Sequence, residues 1–124
     1  MASRMMVALN KLESSVLRAM CRRAAACGTI LQSQLAHAQV KGRENTGAGF
    51  YTNFEVDRAQ AIPFKKDMVI GDVASQLEDL NNPMVFLVFI KNGYVDFLEG
   101  AADEDSTVGL DFAQAKFKLL EVEA

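Results

Sequence analysis

The sequence predicts an α+β protein: a helical part over about residues 4–38, packed on an antiparallel sheet of about five or six strands over about 40–122. Two observations carry that prediction. Apolar residues near the N-terminus recur with the 3.6-residue period of a helix, and beyond Val40 the period falls to the two of a strand. The helices come first and the strands run together after them, an order that belongs to α+β architecture. A third feature, Asn92-Gly93 directly after an apolar run, is a strong hairpin signal and makes the strands on either side antiparallel neighbours. At 124 residues the chain is read as one domain, large enough to fold without disulfides or metal.

The first helix is expected over residues 4–22. Met5, Leu9, Leu12, Val16 and Met20 share one face, while Arg4, Lys11, Ser15, Arg18 and Arg22 fall on another. Gly28 fits a C-terminal stop, and Thr29 is placed to cap a short second helix from about Ile30 to Ala38. Gly47 and Gly49 then mark a bend or bulge. Phe50, Thr52, Phe54 and Val56 alternate with Tyr51, Asn53 and Glu55, the pattern of a strand buried on one face. Residues 57–68, with Pro63 and five charged side chains, read as a loop. The stretch 69–80 is open between strand and helix. Val69, Val73, Leu77 and Leu80 have helical spacing, whereas Val73, Ser75 and Leu77 also suit a strand. Residues 84–90 are apolar at every position and form a central strand, returned by Tyr94 to Glu99 in a meander. An acidic loop, Asp103 to Ser106, leads to a last strand with Ala113, Ala115, Phe117 and Leu119 facing the core.

Charge is unevenly placed. Residues 1–43 carry +6 and residues 44–124 carry −9, which together make the net charge of −3. The basic face of the first helix is read as solvated or paired with the chain's own acidic surface. No nucleic-acid partner is expected, because the acidic remainder repels phosphates. Nor is a membrane: the uncharged stretch 24–40 is too polar to span a bilayer, and the apolar run from Met5 to Leu9 is too short for an export signal. A cytoplasmic setting suits the two cysteines, Cys21 and Cys27, which are too few for a disulfide framework and match no zinc spacing.

The motifs with chemical potential fail on their own terms. Gly47-Ala48-Gly49 opens like a dinucleotide fingerprint, but Thr52 stands where the third glycine belongs and a strand follows where a helix should. Asp103, Asp105 and Thr107 spell D-x-D-x-T, yet only 17 residues follow, too few for the parallel sheet such a nucleophile needs. Read as a calcium loop from Asp103, the sixth position is Val108 and the twelfth Gln114, where glycine and glutamate are required. The lone histidine, His37, has no metal-ligand companion. No catalytic residue and no cofactor are assigned.

The two-sided apolarity of residues 84–90 is more informative. Phe86, Val88 and Ile90 suffice to cover one face, so Val85, Leu87 and Phe89 are left to cover the other. An exposed apolar patch of that size is unusual on a monomer. These three are therefore assigned to a homodimer interface, the first helix being the other surface through which a dimer could join, with a separate protein partner as a further option. The alternative is a small-molecule binder or minor enzyme with its pocket between helices and sheet.

The segments Thr46-Gly47-Ala48-Gly49-Phe50-Tyr51-Thr52-Asn53-Phe54, Ile70-Gly71-Asp72-Val73 and Phe97-Leu98-Glu99-Gly100 together resemble a family of small bacterial proteins of uncharacterised function. Its members carry a GxGFF-T-x-F segment and a later L-E-G segment. The resemblance spans roughly residues 38–100 and implies a bacterial, cytoplasmic accessory protein with no catalytic residue to carry over. In that family an aromatic stretch follows L-E-G, whereas Ala101, Ala102 and the acidic loop stand here. A shared binding site, if the family has one, is expected at Gly47, Gly49, Phe50, Thr52, Glu99 and Gly100, because paired glycines admit close backbone approach.

Overall fold

A computed structural model describes residues 9–24 and 26–120. Helices α1 (Lys11–Arg23) and α2 (Ala26–Leu35) precede six strands: β1 (Ala38–Asn45), β2 (Gly49–Val56), β3 (Met68–Leu77), β4 (Met84–Lys91), β5 (Tyr94–Ala101) and β6 (Phe117–Leu120). The strands form one open sheet in the order β1-β2-β5-β4-β3-β6, every pairing antiparallel. Both helices lie on the same face, α1 against β3 and α2 against β5 and β1. This is the expected α+β arrangement. It is not a plain meander, however. β1 and β2 form one neighbouring pair and β3, β4 and β5 another run, while β2 pairs with β5 and β6 returns to the far edge beside β3.

Local chemistry explains where the elements begin. Helix α1 starts at Lys11 because Asn10 caps it: the Asn10 side chain accepts from the Glu13 amide at 2.8 Å, and the Glu13 carboxylate accepts from the Asn10 amide at 2.9 Å. Such a reciprocal capping box satisfies two of the donors that a helix start leaves without partners. Leu9 and Asn10 thus precede the helix expected from residue 4, and Arg4 and Met5 lie outside the described residues. The second helix begins earlier than expected and ends at Leu35, with Gly28 inside it rather than at a stop. A Cβ on Gly28 would lie 2.0 Å from the Cys21 carbonyl oxygen, so the glycine is there to let the two helices touch.

The ambiguous stretch 69–80 is strand β3 as far as Leu77. Its helix-like spacing has a cause. Asp72, at φ 64°, is an extra residue between the pairs Gly71↔Leu87 and Val73↔Phe86, so Ile70 and Val73 both face the core. The last strand is shorter than expected. Ala113 lies in a turn in which its amide donates to the Asp111 carboxylate at 3.0 Å, and strand pairing resumes only at Phe117. The Asn92-Gly93 hairpin forms as expected, with φ 55° and 86°, the left-handed pair of a type I′ turn.

The core lies between the helices and the inner sheet face. Leu12, Val16, Leu17 and Met20 from α1 meet Phe86, Val88, Leu98 and Leu77, all at most 2% exposed. Each such side chain contributes roughly 1.5–3 kcal/mol through burial.

Candidate functional site

The residues expected to form a glycine-lined site are neighbours in the sheet. Gly49, Phe50, Tyr51 and Thr52 on β2 lie opposite Ala101, Gly100, Glu99 and Leu98 on β5. Alternation then divides them. Phe50, Thr52 and Gly100 face the helices and are buried, whereas Glu99 sits beside Tyr51 and Leu87 on the outer face. A Cβ on Gly100 would lie 2.7 Å from the Phe50 ring and 2.8 Å from the Phe86 ring, so its missing side chain is filled by those aromatics. Phe50 in turn packs at 4.6 Å from Phe112. Gly47 and Gly49 are held by the acidic loop: the Gly47 carbonyl accepts from the Thr107 amide at 2.9 Å, and the Gly49 amide donates to the Thr107 hydroxyl at 3.0 Å. Asn45 completes this tie, donating to the Thr107 carbonyl at 2.7 Å and accepting from its hydroxyl at 2.8 Å.

The D-x-D-x-T stretch is thereby accounted for. Thr107 is buried in that tie, and Asp105 accepts from Asn81 and from the Asn82 amide at 2.9 Å. Among the described residues no group of acidic, histidine or cysteine side chains is placed to hold a metal ion.

Three buried polar residues organise the molecule; Glu13 and Gln34 were not singled out from sequence, and Thr107 was noted only within the D-x-D-x-T stretch. Glu13, 1% exposed, is the first. Besides capping α1, its carboxylate accepts from Nε and Nη2 of Arg43 at 2.8 and 2.7 Å and from the Thr52 hydroxyl. A charge so buried demands this degree of pairing. The bond raises the Arg43 pKa further above its ordinary range. The Asn10-x-x-Glu13 spacing is a capping-box signature and was the available signal. Gln34 is the second. Fully buried, it donates to the carbonyls of Ile62 (2.7 Å) and Gly93 (2.9 Å) and accepts from the Val95 amide at 2.8 Å. Thr107 is the third. Nothing in the local sequence marks Gln34, and the motif that contains Thr107 does not point to its role in this tie.

Glu13 and Arg43 also border a groove of about 510 Å³, closed by Leu9, Phe50, Leu110 and Phe112.

The outer sheet face has a different character. Tyr51, Val69, Val85, Leu87, Phe89 and Phe97 stand on it; Val69 is 53% and Val85 42% exposed. Phe89 stacks on Phe97 at 4.5 Å, and Tyr51 meets Phe97 edge-on at 5.4 Å. The expected interface residues Val85, Leu87 and Phe89 thus share one face with three further apolar side chains from β2, β3 and β5. No protein-family model matches this chain, and no curated protein or solved structure matches it.

Cys21 and Cys27 are both free and half-buried. Burial pushes the Cys21 thiol above its ordinary value of 9.0, outweighing the opposing pull of Arg22. The neutral thiol is therefore favoured in the fold. Its stabilisation is full below pH 9.0 and is lost as pH rises from there through the folded value, because the unfolded thiol ionises first. We expect Cys21 to alkylate more slowly than free cysteine at pH 8–9, and Cys21→Ser to flatten the alkaline loss of stability. Peptide mass spectrometry after iodoacetamide pulses and urea melts at rising pH check the two halves.

Proposed function

We propose that this chain is a non-enzymatic protein-interaction module that works as a homodimer joined through its outer sheet face. The observation that carries this reading is the face itself: six apolar side chains, four of them aromatic or leucine, on the side of the sheet that carries no helix. Such a face is ordinarily polar when it meets water. Charge at the rim favours a second copy as its occupant. Glu44 stands on β1 and Glu55 on the adjoining β2 towards one edge, and Lys118 stands on β6 at the other. A two-fold axis parallel to the strands lays the β1 edge of one copy over the β6 edge of its partner, so opposite charges meet. The edges themselves are poor docking strands. β1 carries Lys41, Arg43 and Glu44, and β6 is only four residues long. Stacking face to face is the remaining route.

The resemblance to small bacterial proteins and the free cysteines support a bacterial, cytoplasmic setting for this module. No helix among the described residues is long and apolar enough to cross a membrane.

Native mass spectrometry and light scattering test the reading. Wild type is expected at twice 13.6 kDa. Leu87→Asp and Phe89→Asp each place a charge in the seam and are expected to yield folded monomers, verified by an unchanged circular dichroism spectrum. A wild-type monomer at micromolar concentration, or an aspartate variant that remains a dimer, sinks the reading.

A further inference from the structure

Helices α1 and α2 touch where Gly28 meets the Cys21 carbonyl. Away from that contact, towards Leu9 on one side and Ala36 on the other, a groove of about 530 Å³ lies between them, within the range of small-molecule sites. Leu17 and Leu35, 2% and 8% exposed, close its floor. The half-buried Leu9 and Cys21 and the exposed Ala36 bring apolar surface up to the solvent side. Two cations stand beside that surface: Arg18 and Arg22, both exposed and one helical turn apart on α1.

The charge around this groove is of one sign. No acid stands between Ser14 and Arg43 in the sequence, and α2 carries no charged side chain at all. Two other arginines of this stretch are engaged elsewhere: Arg23 donates to the Asp72 carbonyl, and Arg43 is bound to Glu13. Arg18 and Arg22, by contrast, make no ion pair or hydrogen bond among the described residues. At these two positions the basic face of α1 is therefore not paired with the chain's own acids. The groove lies on the helix side of the sheet, opposite the outer apolar face, so it stays open in a monomer and in the dimer alike.

We propose that this groove binds a single-chain fatty acid, with its carboxylate on Arg18 and Arg22 and its chain over Leu9, Cys21 and Ala36. The planar guanidinium fork matches a carboxylate, and the aliphatic stems of the two arginines extend the apolar surface along the chain. A simple anion would satisfy the arginines and leave the apolar wall in water. An uncharged chain would do the reverse. The ligand that answers both features carries a charge at one end and an apolar body behind it.

Isothermal titration of the intact protein with dodecanoate, acetate and dodecyltrimethylammonium tests it. Dodecanoate is expected to saturate one site per chain and to bind more tightly than either of the other two. Arg18→Gln and Arg22→Gln are each expected to weaken it by about tenfold or more, the effect of losing one hydrogen bond to a charged group. Lys116→Gln, an exposed cation outside the groove, is the control and leaves binding unchanged. An unchanged circular dichroism spectrum verifies the fold of each variant. Cys21 locates the ligand: saturating dodecanoate is expected to slow its alkylation by iodoacetamide and to leave that of Cys27, which does not line the groove, as it was. Folded Leu87→Asp is expected to keep the site, which separates it from amphiphile adsorbed on the outer sheet face. The proposal is overturned if dodecanoate shows no saturable binding up to about 1 mM. It is equally overturned if dodecyltrimethylammonium binds as tightly, if folded Leu87→Asp loses binding, or if both arginine variants bind dodecanoate as wild type does.

Discussion

Gly49→Ala is expected to destabilise the protein by about 3 kcal/mol or more, the sum of a positive-φ penalty and a collision in the core. Gly49 sits at φ 136°, and a Cβ built there would lie 2.0 Å from the Gly100 carbonyl oxygen. That atom belongs to the backbone of β5, which is paired to β2 on one side and β4 on the other, so it has no room to yield. The Gly49 amide also holds Thr107, and a shift of β2 would loosen the acidic loop along with the strand. Gly109→Ala is the informative comparison. It shares a positive φ, 78°, but its Cβ would meet nothing within 4 Å, so its cost is the backbone penalty alone, about 1 kcal/mol. In a thermal melt the Gly49 variant should lose roughly 10–20 °C. Equal melting temperatures for the two variants would show that β2 and β5 separate easily at this crossing.

Gln34→Leu is expected to cost about 2–4 kcal/mol although it exchanges a polar for an apolar side chain inside the core. The swap strands the Val95 amide and removes a donor from the Ile62 carbonyl; the Gly93 carbonyl keeps its bond from the Phe64 amide at 2.8 Å. A buried donor without a partner loses its full desolvation energy, and the added leucine contacts recover only part of that. Hydrogen exchange gives the sharpest readout. The Val95 amide should lose its protection in the variant while the Val88 and Leu98 amides, in the paired centre of the sheet, keep theirs. Protection at Val95 unchanged from wild type would mean that the β2–β5 ladder extends past Asn53↔Phe97 once Gln34 is gone.

Much of the fold was legible because the elements obey their periods. Leu12, Val16 and Met20 at helical spacing do bury one face of α1, and Phe50, Thr52, Phe54 and Val56 do face inward from β2. The fully apolar β4 is the innermost part of the sheet together with β5, as its composition requires. The failures trace to places where tertiary contacts break the period. At Asp72 a bulge puts Ile70 and Val73 on one face, three residues apart, which imitates a helix. At Asp96 the same device puts Val95 and Leu98 on one face. β1 alternates only as far as Arg43 and is exposed beyond it, as an edge strand whose outer side touches no strand.

The site followed the same division. That Leu87 and Phe89 must find cover could be read from a run with no polar position, since a strand has two faces and one helical layer covers only one. Phe89 meets Phe97 across the β4–β5 hairpin, but the register that brings Tyr51 to Phe97 needed the β2–β5 pairing, which joins segments more than forty residues apart. The end of the β2–β5 ladder at Asn53↔Phe97 has no local signature, because there a glutamine from α2 bonds the Val95 amide and the Gly93 carbonyl. Sequence alone determined the class of fold, the position of the hairpin and the surplus of apolar surface on β4, since each depends on residues adjacent in the chain. Strand order and the capture of Gln34 and Glu13 in the core were decided by tertiary structure, because each depends on which distant groups are left to be satisfied once the sheet has formed.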